Sequence, residues 1–346
     1  MTHLATPVLL ALLSLLPLAH ALPPLAHEVG GDTVSPVDWA FDSEAGSLEH
    51  ERGEGRLLVR SGRVLGVTGV VDGGPEGAEA LASLVVAVRG GGEALARDLG
   101  HHLGQEAVPA FARIGNALLT LREVEGRVAF DFALIELMPG DFRGSRHVLN
   151  PGGSVPVRVY GDFASAEVAA YVSGVLPTLA AQAEELGVRL EYHHAPASAT
   201  GAGVLAAEAS ECVAAAHPEG GFWAFAELLA RERAAWVSLV SPQAFFVAAV
   251  ERLGLAAPGL ASCVEERLAR REVGVAVESA ANLGLTARPT VFVGGFLMGD
   301  PRDDAELSRL VELARPVVAG AGPLAPQEES VEDVGVLPLS PAGLPE

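Results

Sequence analysis

"VYGDFASAEVAAY", residues 159–171, changes pattern within a few positions. The run-up "VPVRVYGDF", 155–163, is rich in valine and reads as a strand. From Ser165 the chain reads as a long helix, "SAEVAAYVSGVLPTLAAQAEEL", with a kink or break expected at Pro177. Ser165 suits the N-cap, because a serine oxygen accepts a bond from a backbone N–H that the helix leaves unpaired. Glu167 in the first turn suits the positive end of the helix dipole. The strand-to-helix corner is therefore Ser165-Ala166-Glu167-Val168, a serine and a valine separated by two residues.

Working outward, "GVRLEYHHA", 187–195, is a second strand, and helices are expected over 203–217, 221–235, 241–253 and 257–284. "PTVFVGGFLMGD", 289–300, reads as two strands around Gly294-Gly295, and "RDDAELSRLVELARPV" as a closing helix. Upstream, "GRLLVRSGRVLGVTGVV", 55–71, reads as two strands turning at Ser61-Gly62. Residues 76–103 carry helical spacing interrupted at Gly90-Gly91-Gly92. "AVPAFARIGNALLTLREV", 107–124, reads as a further helix, and "GRVAFDFALIEL", 126–137, alternates as a strand. Residues 22–54 are expected to be a linker, 55–140 a small α/β or α+β domain of unassigned role, and 141–319 the second domain. The Gly- and Pro-dense stretch 138–156 marks the boundary. The acidic, Pro- and Gly-rich tail 320–346 is expected to be disordered.

The chain has 346 residues, enough for two domains, and 49% of them are hydrophobic, enough for sizeable cores. Acidic residues number 44 against 23 basic ones, all arginine, for a net charge of −21. Such a surface repels phosphate backbones and anionic lipid, which argues against nucleic-acid partners. Leu4 to Leu18 is apolar but short for a bilayer, and Ala19-His20-Ala21 has the small-x-small form of a cleavage site. Residues 1–21 thus read as a signal peptide, with no membrane insertion after cleavage and a periplasmic or secreted destination. Two cysteines, Cys212 and Cys263, suit one disulfide in an exported chain. The adjacent pair His101-His102 points in directions about 100° apart on a helix, so no metal site is expected there, with or without Asp98. No cofactor is expected.

Four segments in order carry a resemblance to a known family: "VYGDF" at 159–163, "EYHHAP" at 191–196, "AAEASECVAAAHPEGGFWAF" at 206–225 and "LGLTARPTVFVGG" at 283–295. Over 145–317 the chain resembles the DsbA-like thioredoxin family of exported bacterial disulfide oxidoreductases. The resemblance implies a thioredoxin-like fold with a helical insertion over about 203–284. It implies a Cys-x-x-C at the corner, where this chain has Ser165, Ala166, Glu167 and Val168. A serine cannot form a disulfide and a valine cannot resolve one. The resemblance also implies a cis peptide bond at Pro289, with Arg288, Pro289 and Thr290 flanking a groove for extended polypeptide. It implies a second, non-catalytic pair at Cys212 and Cys263.

Three readings compete on the sequence, one of them a purely structural domain with no groove function. The expected one is a thioredoxin-fold protein without catalytic cysteines that binds unfolded or extended polypeptide or scaffolds an envelope protein. The alternative is thiol–disulfide exchange through Cys212 and Cys263. It is disfavoured because Glu208, Glu211, Glu265 and Glu266 lie near them, and carboxylates raise a thiol's pKa. Serine catalysis at Ser165 would need a base, for which His193 and His194 are the neighbouring-strand candidates.

Overall fold

The computed structural model describes residues 39–42, 46–60, 63–89, 97, 99–101, 103, 111–144, 147–218, 220–285 and 288–318. The signal segment, most of the lead-in, Ser61-Gly62, Gly90 to Gly92, Asp98, His102 and the tail 320–346 lie outside the described residues. The chain divides into two compact units, meeting in sequence between Glu136 and Leu137.

The first unit is one antiparallel sheet carrying a helix. Its strands are β1 (Ala40–Asp42), β2 (Ser47–His50), β3 (Gly53–Arg60), β4 (Arg63–Asp72), β5 (Phe111–Ile114), β6 (Ala117–Val124) and β7 (Arg127–Leu134), in the order β1-β2-β3-β4-β7-β6-β5. Helix α1 (Pro75–Arg89) packs on β4. Alternation decides which side chains face it: Leu57, Val67, Val71, Leu119, Leu121, Phe130 and Phe132 are buried, as are Leu81, Leu84, Val85 and Val88 of the helix. Two expectations are corrected here. The lead-in 22–54 is not all linker, because β1, β2 and the start of β3 belong to the sheet. Leu48 is fully buried, and the Trp39 indole donates to the Ala80 carbonyl at 3.2 Å. Of the helix expected over 107–124, the described part, 111–124, is a β-hairpin through Gly115 and Asn116. Gly115 has φ +64°, which glycine adopts freely, and β6 buries Ala117, Leu119 and Leu121 with the period of a strand.

The second unit holds a five-stranded sheet: β8 (His147–Leu149), β9 (Val155–Gly161), β10 (Val188–His194), β11 (Thr290–Val293) and β12 (Phe296–Leu297), in the order β12-β11-β9-β10-β8. β9 and β10 are parallel; β8, β11 and β12 run antiparallel to their neighbours. The parallel pair needs a crossover, supplied by α2 (Ala166–Ala170), a π-turn (Tyr171–Val175) and α3 (Leu176–Leu186). Between β10 and β11 come α4 (Ala202–Ala216), α5 (Gly221–Arg231), α6 (Arg233–Trp236), α7 (Gln243–Arg252), α8 (Leu260–Glu265) and α9 (Arg270–Asn282); α10 (Asp304–Val318) closes the unit. This is the thioredoxin-like α/β arrangement with a helical insertion. The kink expected at Pro177 appears as the π-turn just before it. Proline has no N–H to give the Ser173 carbonyl four residues back, and its ring crowds that carbonyl. The helix expected over 257–284 is two helices, broken near Arg267, whose φ of +56° no helix accommodates.

Candidate functional site

The corner after β9 is built from its own backbone. Asp162 is buried; its Oδ1 accepts from the Ala164 N–H at 2.8 Å and its Oδ2 from the Ala197 N–H at 3.0 Å. Its carbonyl accepts from the Ser165 N–H at 2.9 Å. The carboxylate lies so close to the start of α4 that a Cβ on Gly203 would stand 2.3 Å from Oδ1, so only glycine fits there. Arg233 donates from Nε to the Ala164 carbonyl at 2.6 Å.

Ser165 is the N-cap of α2, its Oγ accepting from the Val168 N–H at 3.4 Å. Val168 is fully buried and packs close over Gly161. Both residues that stand where the family resemblance puts thiols are thus structural: one closes a helix end and the other fills the core. Glu167 and Arg288 are exposed and form an ion pair at 3.6 Å, which brings the residue before Pro289 to the corner. Thr290 begins β11, opposite Tyr160 of β9. The cis bond expected at Pro289 is corrected: the described residues contain no cis peptide bond. Trans is the lower-energy form even for proline, by about 0.5–1 kcal/mol, and β11 pairs with β9 from Thr290 onward without it.

The two adjacent histidines of β10 point to opposite faces of the sheet, as strand alternation requires. On one face His193 stacks on Tyr160, ring centroids 4.6 Å apart, with its Nε2 3.7 Å from the Glu191 carboxylate. Glu191 is fully buried and also faces Arg158 at 3.0 Å and Arg189 at 2.7 Å. Burial alone would raise its pKa. The neighbouring imidazole and the two guanidinium groups outweigh that and hold it at about 2. Arg158 in turn covers the Phe142 ring at 4.0 Å and donates to the Gly294 carbonyl.

On the other face His194, from β10, meets His147, from β8, and Glu211, from α4. Glu211 Oε1 lies 3.0 Å from His147 Nε2 and 3.1 Å from His194 Nε2. His194 Nε2 is also 3.3 Å from Ser210 Oγ. Phe222 stacks on His147 with centroids 3.5 Å apart, and Tyr192 and Phe163 complete an aromatic wall. Burial lowers the His194 pKa, against the pull of Glu211, and so favours a neutral ring. Burial pushes the Glu211 pKa up, but its hydrogen bonds with His147 and His194 outweigh this and leave the carboxyl far below its usual range. Each β10 histidine is thus engaged in a cluster of its own, and the Ser–His pair considered for Ser165 is not assembled by these contacts.

Cys212 and Cys263 are joined by a disulfide, Cα atoms 5.9 Å apart, tying α4 to α8. Cys212 is buried in the body of α4, and Cys263 lies in the first turn of α8. The carboxylates beside it have partners: Glu208 takes a bidentate pair of bonds from Arg267, at 2.6 and 2.7 Å, and Glu211 takes the two histidines. The sequence reading named Glu208 and Glu211 only as neighbours of a cysteine and passed over His147. A signal was there, since two carboxylates inside the apolar run "GVLAAEASECVAA" cannot be buried without partners.

No family model and no curated protein matches the chain. Solved structures do. BdbD from Bacillus subtilis, oxidised, matches with a TM-score of 0.45 at 19% identity, over 51% of this chain and 97% of that one. The disulfide bond oxidoreductase DsbG from Mycobacterium tuberculosis, reduced, matches at 0.40 and 23% identity, over 53% and 93%. The α-DsbA1 of Wolbachia pipientis matches at 0.43 and 14% identity, over 54% and 96%.

Proposed function

We propose that the chain is an extracytoplasmic thioredoxin-fold protein that acts without thiol exchange, binding extended polypeptide, or an envelope protein presenting such a segment, beside Arg288, Pro289 and Thr290. The observation that carries this reading is the α2 corner. Ser165 caps the helix and Val168 is sealed in the core, so the corner offers a partner shape and charge but no sulfur. The exposed Arg288–Glu167 pair gives that surface a polar lip on an acidic protein. The apolar leader and the Cys212–Cys263 disulfide suit an oxidising compartment outside the cytoplasm. No helix among the described residues is long and apolar enough to cross a membrane.

Exchange through Cys212 and Cys263 is the competing reading. It requires attack on a bond of which one sulfur is buried mid-helix. A thiolate is activated at a helix N-terminus or beside a cation, and the groups next to Cys212 are carboxylates. The test uses two assays on the signal-free chain. Fluorescence anisotropy with a labelled, fully alkylated unfolded polypeptide should show saturable binding, weakened roughly 3- to 10-fold by Arg288→Glu if a rim charge guides acidic segments. Catalysed reduction of a disulfide substrate should be absent. Catalysis lost in the Cys212→Ala, Cys263→Ala double variant would hand the function to the disulfide. Absence of any polypeptide binding would end the binding reading.

A further inference from the structure

We infer that His147, His194 and Glu211 form a binding site for a divalent transition metal of the zinc class. The three donors come from three separate elements, β8, β10 and α4, yet their ligand atoms all lie within 4.8 Å of one another. One carboxylate oxygen stands 3.0 and 3.1 Å from the two imidazole nitrogens. A tetrahedral ion with bonds of about 2.0–2.1 Å separates its ligands by about 3.3 Å, so only small side-chain shifts are needed to admit one. Two imidazoles and one carboxylate make a nitrogen-rich set. Calcium and magnesium prefer six or more oxygens, whereas zinc, cobalt, nickel and copper accept imidazole readily.

The surroundings leave the three groups enclosed and close together. Phe222, Phe163 and Tyr192 wall the cluster. His147 is the outermost of the three, with a tenth of its side chain exposed, which gives an ion a way in. Three protein ligands leave a fourth position for water or for a ligand from a partner. A bound ion would fasten the edge strand β8 and the insertion helix α4 to β10, the neighbour of β8 in the sheet.

The experiment uses untagged, signal-free chain treated with chelator and dialysed. Zinc is titrated by calorimetry and cobalt by visible absorption. The expected result is one ion per chain, the intense visible bands of a tetrahedral cobalt site, and a higher Tm that returns to its starting value with chelator. His147→Ala should weaken binding by at least about tenfold, the scale on which even outer-shell changes act; circular dichroism checks that it folds. Glu211→Gln keeps the side-chain shape and should weaken binding as much. Failure of the wild type to bind either ion overturns the inference. So does binding that both variants retain, because the metal would then sit elsewhere on the acidic surface.

Discussion

The α2 corner and the His147–His194–Glu211 cluster are neighbours, since Gly161 at the head of the corner pairs with His194 in the sheet. They are held in different ways. At the corner, Ser165 bonds to a backbone N–H three residues on, Asp162 bonds to the N–H groups of nearby Ala164 and distant Ala197, and Glu167 and Arg288 reach into solvent. In the cluster, each polar group depends on another from a different element, and only His147 keeps as much as a tenth of its side chain in reach of water. A polar group satisfied locally or by water can be replaced at little cost. One satisfied only by a distant partner leaves that partner buried and unpaired. Ser165, Glu167 and Arg288 can therefore be replaced cheaply, while the cluster is costly to alter.

Five measurements break or sharpen that contrast. Removing the disulfide that anchors α4 beside the cluster, as Cys212→Ala with Cys263→Ala, should lower stability by about 4 kcal/mol, because it frees a loop of 51 residues in the unfolded chain. Urea unfolding of oxidised wild type against the double variant reads it. Glu211→Ala in metal-free protein should cost about 3–4 kcal/mol by orphaning two imidazoles; a cost below that of the corner variants would reverse the comparison. Acid tests the opposite sheet face. The Glu191 pKa falls from 4.5 to about 2 on folding, so its contribution is full above pH 4.5 and fades as the pH drops towards about 2. That contribution is on the order of 3 kcal/mol. Glu191→Gln should flatten the acid limb of the stability profile between those limits. Ser165→Ala should cost only about 0.5–1 kcal/mol, the loss of one long cap bond, read as a small shift in the denaturation midpoint. Arg288→Ala and Glu167→Ala should each change stability by less than about 0.5 kcal/mol, as exposed ion pairs do, so any effect of Arg288 on polypeptide binding can be measured without a folding artefact.

Much of the second unit was legible because its signals are local. A valine-rich run gave β9, serine followed by glutamate gave the start of α2, and the order of segments gave the thioredoxin-like fold. The first unit was less so: "ALLTLREV" fits helical spacing on paper, and only pairing with β7 on one side and β5 on the other makes it a strand. Local preference loses when a sheet buries alternate leucines. The proline at 289 shows the reverse error, in which a resemblance supplied a conformation that the backbone here does not adopt.

The sequence by itself determined the fold class of the second unit, the absence of thiols at Ser165 and Val168, and the two cysteines available for pairing. Each of these is a property of residue identity or short-range spacing. Tertiary structure alone decided that His193 and His194 part company, one to Glu191 and one to Glu211, and that His147 joins the second. Strand alternation splits the adjacent pair, and the packing of β8 and α4 against β10 supplies partners 47 and 17 positions away in the chain (194 − 147 and 211 − 194).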